Sequence, residues 1–350
     1  MKIPAMIAFA LISAACARDA LSPPAPGWNT LSGAAPMIIA HRGASGYRPE
    51  HTLEAYALAI EQGADVIEPD LVVTKDGVLI ARHDRYLSTT TNVADRPEFA
   101  SRKRIDPDPN GQGREDWWAE DFTLAELKTL RARQSVPGRS QAYDDLYEIP
   151  TLEDILALIE IKAAETGRRI GVYPETKSPG YFERIGLSFD APLLAALDGF
   201  GAGPVFIQSF EPRILKRLHG RTPHKLVQLV YEENPGAGSN IPLANIATYA
   251  DGVGPNKDML IDIGLKDTGF LRQAHSLGLF VHSWTFRNDV DNSIVQYFRD
   301  TYDIVGDEDL QFDDPTKPEA EYQLFYLLGV DGVFTDFPDT AVKVRDAMDR

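Results

Sequence analysis

Between Ile38 and Asp84 the chain gathers His41-Arg42-Gly43, Pro49-Glu50-His51-Thr52, Glu68-Pro69-Asp70 and His83-Asp84. Imidazoles exchange protons near neutral pH, paired carboxylates bind hard cations, and a guanidinium can clamp an anionic oxygen. His41 and His83 are the candidate acid and base for a hydrolysis in which one group deprotonates the nucleophile and another protonates the leaving oxygen. Glu68 and Asp70 lie two apart, so on a strand they share a face and can converge on one ion. Glu175, two residues before Lys177, is a third carboxylate. Three carboxylates without a cysteine suit one divalent cation, Ca²⁺ or Mg²⁺, rather than structural zinc. The competing reading makes Glu68 a structural ion-pair partner of Arg42 or Lys177. Glu50 and His51, just ahead of a helix, could support the site from behind or bind directly.

Such residues act only if strand ends bring them together. Short apolar runs suggest strands at Met37–Ala40, Val66–Val72, Ile170–Glu175, Val205–Ser209, Leu226–Val230, Gly252–Gly254, Leu279–Trp284 and Gly332–Thr335. Helical patterns fall between most of them, over Thr52 to Gln62, Leu152 to Ala164, Glu211 to Leu218 and Ile263 to Leu277. This alternation predicts an α/β fold, a TIM (β/α)8 barrel with its reactive groups at the carboxyl ends of the strands. His41-Arg42 then follow the first strand, Glu68 and Asp70 end the second, and Glu175 with Lys177 ends the third. Phe210 follows the fourth strand and Trp284 ends the seventh. His282 shares a face with Trp284 and could line the mouth, whereas His219, His224 and His275 read as structural. An extra strand at Val78–His83, after the turn Thr74-Lys75-Asp76-Gly77, forms a hairpin that carries His83 to the same mouth. Tyr86 to Glu148 reads as an insertion capping the mouth, and Asp303 to Tyr322 as a solvated loop.

The formal charge of −17 argues against a nucleic-acid or anionic-membrane binder, which needs a basic face. At 43% hydrophobic and 25% charged residues, the 350-residue chain can bury a large core. Residues 1–20 read as a signal peptide. Lys2 opens it, Ile7 to Ile12 is apolar, and small residues precede Cys16, the only cysteine. The placement of Cys16 suggests a lipoprotein signal, although Ser13 stands where Leu is usual, and an ordinary cleaved signal is the alternative. Residues 21–36, rich in proline, read as a linker to a domain spanning 37–350. The expected destination is periplasmic or membrane-anchored, with membrane contact only through lipid on Cys16.

The ordered motifs His41-Arg42-Gly43, Pro49-Glu50-His51-Thr52, Gly63-Ala64-Asp65, Glu68-x-Asp70, Thr74-x-Asp76-Gly77, His83-Asp84, Glu175-x-Lys177, Gln208-Ser209-Phe210, Trp284-Thr285 and Asp331 to Pro338 resemble the glycerophosphodiester phosphodiesterases. His51, where many members carry Asn, and the long insertion after Asp84 are similar to the periplasmic branch. The resemblance implies a metal-dependent barrel that hydrolyses diesters such as glycerophosphocholine and glycerophosphoethanolamine to sn-glycerol 3-phosphate and an alcohol. It implies His41 and His83 as the catalytic pair, and Glu68, Asp70 and Glu175 as metal ligands. Arg42 and Lys177 would hold the phosphate, Phe210 and Trp284 the glycerol, and Glu50 would support the metal or His41. Either water attacks directly, or the glycerol 2-hydroxyl attacks first and water opens a cyclic phosphate. Two other functions fit the same kit: a phospholipase-like enzyme on lysophospholipids, and a noncatalytic surface protein that binds the diester.

Overall fold

The computed structural model describes residues 27–107, 111–234, 236–262, 267–289 and 317–349. Cys16 with the expected signal over 1–20, residues 21–26 of the expected linker and residues 303–316 of the expected loop lie outside them. Eight parallel strands form the barrel: Met37–His41, Val66–Glu68 continued by Asp70–Val73, Gly171–Val172 continued by Glu175–Thr176, Phe206–Ser209, Lys225–Val230, Gly252–Pro255, Phe280–Phe286 and Gly332–Thr335. The last strand pairs with the first, Ile38 opposite Val333. Around the rest of the ring, Ile67 pairs with Val172, Asp70 with Glu175 and Glu175 with Gln208.

Two expected strands are each broken in two, and the cause is proline. Pro69 and Pro174 have no N–H to give to a ladder. Their carbonyls still accept, from Glu175 N at 2.9 Å and Gln208 N at 3.0 Å, so the ring stays joined across both breaks. The hairpin strand is shorter than expected, Leu79–Ala81, and pairs antiparallel with Asp70–Val73. His83 therefore sits just beyond it.

The first helix, Leu53–Glu61, starts where Thr52 Oγ1 accepts the amide of Ala55. Leu152–Thr166 is bounded by a capping box from Thr151 and Asp154 and by Gly167 at φ +67°. Of the helix expected over Ile263 to Leu277, residues 263–266 lie outside the described residues, and the described part is helical over Phe270–Ser276, with Gly269 at φ +84° at its start. A larger correction concerns the second polar stretch: Pro318–Leu328 is a helix that begins inside the predicted loop. Proline suits its first turn, and Tyr322, Phe325 and Tyr326 form a buried stripe at helical spacing that outweighs the acidic residues between them.

The insertion is a packed unit rather than an open loop. Its hairpin, Arg104–Pro107 with Gly113–Asp116, lies over the buried Trp117 and Trp118, whose indole N–H groups donate to Phe99 O and Arg104 O. The end of the predicted linker is also bound to the body. Asn29 Nδ2 donates to Leu327 O at 2.9 Å, Leu31 N to Asp331 Oδ1 at 2.6 Å, and Trp28 Nε1 to Asp349 Oδ1 at 3.2 Å. These partners lie at the amino ends of the strands, opposite the mouth. Among the described residues no helix is long and apolar enough to cross a membrane.

Gly43 shows how tightly the first loop is set. It has φ +86°, and an added Cβ would lie 2.7 Å from the backbone carbon of Ala55. Gly43→Ala should lower the unfolding free energy by about 2 kcal/mol, the scale of a strained left-handed residue with a backbone clash. Chemical denaturation measures this, and stability equal to wild type would contradict the packing described.

Candidate active site

Because the strands are parallel, their carboxyl ends open at one end of the barrel, around a cavity of about 300 Å³. Its lining includes His41, Arg42, Glu68, Asp70, His83, Glu175, Lys177, Phe210 and Trp284. Glu50 and His51 stand behind this wall rather than on it. Glu50 Oε2 accepts from Arg42 Nη1 at 2.9 Å. His51 Nε2 donates to Asp70 Oδ2 at 3.0 Å, and its Nδ1 shares a hydrogen bond with Tyr56 OH at 2.8 Å.

Glu68, Asp70 and Glu175 each offer an oxygen within 4.8 Å of the others, and all three are buried. Burial pushes the Glu68 carboxyl well above its usual range, and the neighbouring Asp70 and Glu175 push it further. Burial likewise raises Glu175 to about 8, against the pull of Lys177. Asp70 goes the other way: burial would raise it, but Lys177 and Arg42 hold it well below normal. Lys177 Nζ lies 2.8 Å from Glu175 Oε1 and 3.7 Å from Asp70 Oδ1. Arg42 Nε lies 3.2 Å from Asp70 Oδ2, and the Arg42 amide donates to Glu68 Oε2 at 2.9 Å. Gln208 Nε2 donates to Glu68 Oε1, and the buried Gln208 Oε1 is left without a partner. An all-oxygen, buried, repelling donor set with an orphaned amide oxygen beside it fits one hard divalent cation.

At the end of the first strand His41 Nδ1 donates to Asp336 Oδ1 at 2.6 Å. An ionised carboxylate only accepts, so this bond fixes the ring tautomer and leaves Nε2 for the cavity. Burial lowers His41 to about 4, Arg42 adds to the shift, and Asp336 opposes it. His83 Nδ1 lies 3.1 Å from Asp84 Oδ2, and burial followed by Arg42 and Lys177 lowers its pKa. In each case the shift favours the neutral imidazole. Phe210 meets Trp284 edge-on at 5.7 Å and makes an aromatic side wall.

His282 does not line the mouth. It is 2% exposed, packs against Phe206 and Phe280 deeper in the barrel, and pairs with Tyr173 OH at 3.2 Å. The interior of a barrel this narrow is filled by side chains in layers, and strand position alone does not say which layer reaches the opening. Sequence reasoning gave no role to Asp336, Arg139 or Arg287. Asp336 directly follows the last strand, the position that marked His41 and Glu175, so the signal was present. Lys257 also lines the cavity and pairs with Glu321 of the unexpected helix, which placed it beyond sequence reasoning.

The sequence profile of the glycerophosphoryl diester phosphodiesterase family matches residues 41–340. A glycerophosphodiester phosphodiesterase of Arabidopsis thaliana is 34% identical, over 86% of this chain and 84% of its own. The Haemophilus influenzae glycerophosphodiester phosphodiesterase is 31% identical, over 90% and 91%. Among solved structures, an Oleispira antarctica phosphodiesterase in complex with the product sn-glycerol-3-phosphate superposes with a TM-score of 0.57 at 20% identity, covering 91% of this chain and 99% of that one. A Silicibacter pomeroyi structure gives 0.63 at 21%, covering 92% and 99%. Both solved structures share the fold, and with the profile match over most of its length the chain belongs to the glycerophosphoryl diester phosphodiesterase family.

Proposed function

We propose that the protein hydrolyses glycerophosphodiesters, such as glycerophosphocholine and glycerophosphoethanolamine, to sn-glycerol 3-phosphate and the free alcohol. The observation that carries this reading is a single cavity lined by two imidazoles, three carboxylates, Arg42 and Lys177. The relatives' names and the product held by the Oleispira antarctica protein support the same chemistry. A lining dominated by charged and polar groups favours a deacylated diester over a lysophospholipid, whose acyl chain wants an apolar lip.

In this reading Arg42 and Lys177 bind the phosphate oxygens and orient the scissile ester. His41 and His83 share the two proton transfers: one acts as the neutral imidazole and accepts a proton from the nucleophile, while the other enters the step as imidazolium, having taken its proton from solvent, and gives that proton to the leaving alkoxide. Phe210 and Trp284 face the apolar side of the glycerol. Glu68, Asp70 and Glu175 would hold one Ca²⁺ or Mg²⁺, which when bound supplies positive charge against that building on the phosphate. Glu50 keeps Arg42 in place, and its own acidity is held at about 2, chiefly by Arg42 against the effect of burial. The N-terminal features support export, with lipid on Cys16 as the anchor.

Glycerophosphocholine hydrolysis should fall about 100- to 10,000-fold in His41→Ala, the usual scale for losing an acid–base group. Chelation should abolish it in wild type. Full turnover by His41→Ala, or indifference to chelator, would sink this mechanism. A second outcome concerns stability. Carboxyl groups whose folded pKa is raised stabilise the protonated form, so their contribution is complete below the unfolded carboxyl pKa and is lost as pH rises toward the Glu175 value of about 8. Below about pH 6.5 the buried histidines, whose folded pKa values are lowered, act in the opposite sense, so the metal-free protein should lose thermal stability between about pH 6.5 and pH 8, and millimolar Ca²⁺ or Mg²⁺ should restore it. A metal-free melting temperature that climbs over this window would contradict the carboxylate assignment.

A further inference from the structure

The side chain of Arg139 belongs to the insertion, is 3% exposed, and does not line the cavity. Its Nη2 donates to Asp336 Oδ2 at 2.6 Å, the oxygen that also accepts from Arg287 Nε at 2.9 Å. Asp336 Oδ1 is thereby left to His41. The other edge of the Arg139 guanidinium is gripped by Asp289, with Nε to Oδ2 at 2.7 Å and Nη2 to Oδ1 at 3.1 Å. Arg139 Nη1 donates to Ser45 O at 3.1 Å, and Ser45 Oγ donates to the carbonyl of His41 at 2.9 Å. Gln134, five residues earlier on the insertion, donates to the same Ser45 carbonyl and to Arg48 O. The insertion therefore reaches His41 by two routes, one through the ring partner Asp336 and one through the backbone of the loop that follows the first strand.

We propose that Arg139 is a positioning residue for catalysis: by occupying Asp336 Oδ2 and pinning Ser45, it holds the carboxylate in the one rotamer that presents Oδ1 to His41 Nδ1. The proposal rests on His41 as a proton-transfer group. A carboxylate can turn about its last torsion at little cost unless both oxygens are committed. With Oδ2 fixed by two guanidiniums, the carboxylate plane is set and the imidazole has one orientation that completes its hydrogen bond. A planar fork suits this task, because it can grip Asp336 and Asp289 together in fixed geometry. The insertion is then part of the machinery that keeps the acid–base group aligned.

The test compares wild type, Arg139→Met, Arg139→Lys and Arg133→Met, the last at an insertion arginine whose ion pairs among the described residues are with Asp95 and Asp145. Glycerophosphocholine kinetics are measured together with ¹⁵N–¹H spectra of labelled histidines, the His41 signals being assigned with His41→Gln. Arg139→Met is expected to lose about 10- to 100-fold in kcat with KM nearly unchanged, the scale of losing a group that orients a reacting residue. The spectrum of His41 should show the single Nδ1–H tautomer in wild type and a mixture in Arg139→Met. Arg139→Lys should recover part of both, and Arg133→Met should match wild type. A wild-type kcat in Arg139→Met, a change confined to KM, or an unaltered His41 tautomer would overturn the proposal. If Arg139→Met fails to fold, Arg139→Lys decides alone: wild-type kcat and wild-type tautomer together overturn the proposal, and a loss in both supports it. If wild type turns over no glycerophosphodiester, the functional reading fails, and the tautomer spectra still decide whether Arg139 orients His41.

Discussion

Three carboxylates buried within 4.8 Å of one another repel strongly, and most of the mouth is arranged around that repulsion. The compensation is uneven. Asp70 is surrounded by His51, Arg42 and Lys177 and stays acidic. Glu68 receives a backbone amide and the amide of Gln208, both neutral, and holds its proton tightly. This imbalance leaves a local deficit of positive charge on the Glu68 and Glu175 side, in a chain that is strongly acidic overall. A divalent cation would relieve such a deficit.

The backbone carries strain where the chemistry is densest. Arg42, His51 and Ser178 adopt left-handed conformations at φ 58°, 57° and 48°, a geometry that costs a residue with a side chain about 1 kcal/mol or more. Each lies on or beside a residue of the site, Ser178 immediately after Lys177. The return for Arg42 is visible: the turn aims its amide at Glu68 and its guanidinium at Glu50 and Asp70 together. Prolines at 69 and 174 break the strands beside Glu68, Asp70 and Glu175. The regular ladder is thus interrupted where side chains must converge.

Much of this was legible in the residues. Alternating apolar runs and helical patterns identify the barrel because burial on both faces of a parallel sheet leaves a periodic mark. Chemistry at strand ends is equally readable, and the nine side chains expected at the mouth do line one cavity. The helix at Pro318–Leu328 was hidden because its acidic residues face outward or pair with a lysine far off in sequence, as Glu321 does with Lys257. His282 was ambiguous because period-two patterning gives a face and no depth. Arg139 was out of reach for a different reason: the insertion has little periodicity, and its fold depends on tryptophan packing and long-range ion pairs that leave no local pattern.

The docking of Trp28 to Leu31 against Leu327, Asp331 and Asp349 also sets a polarity for the whole particle. Trp28 sits at the closed end of the barrel, while the catalytic opening faces the other way. A segment pinned at the closed end takes no part in the entrance, so solutes can diffuse into the site without passing it.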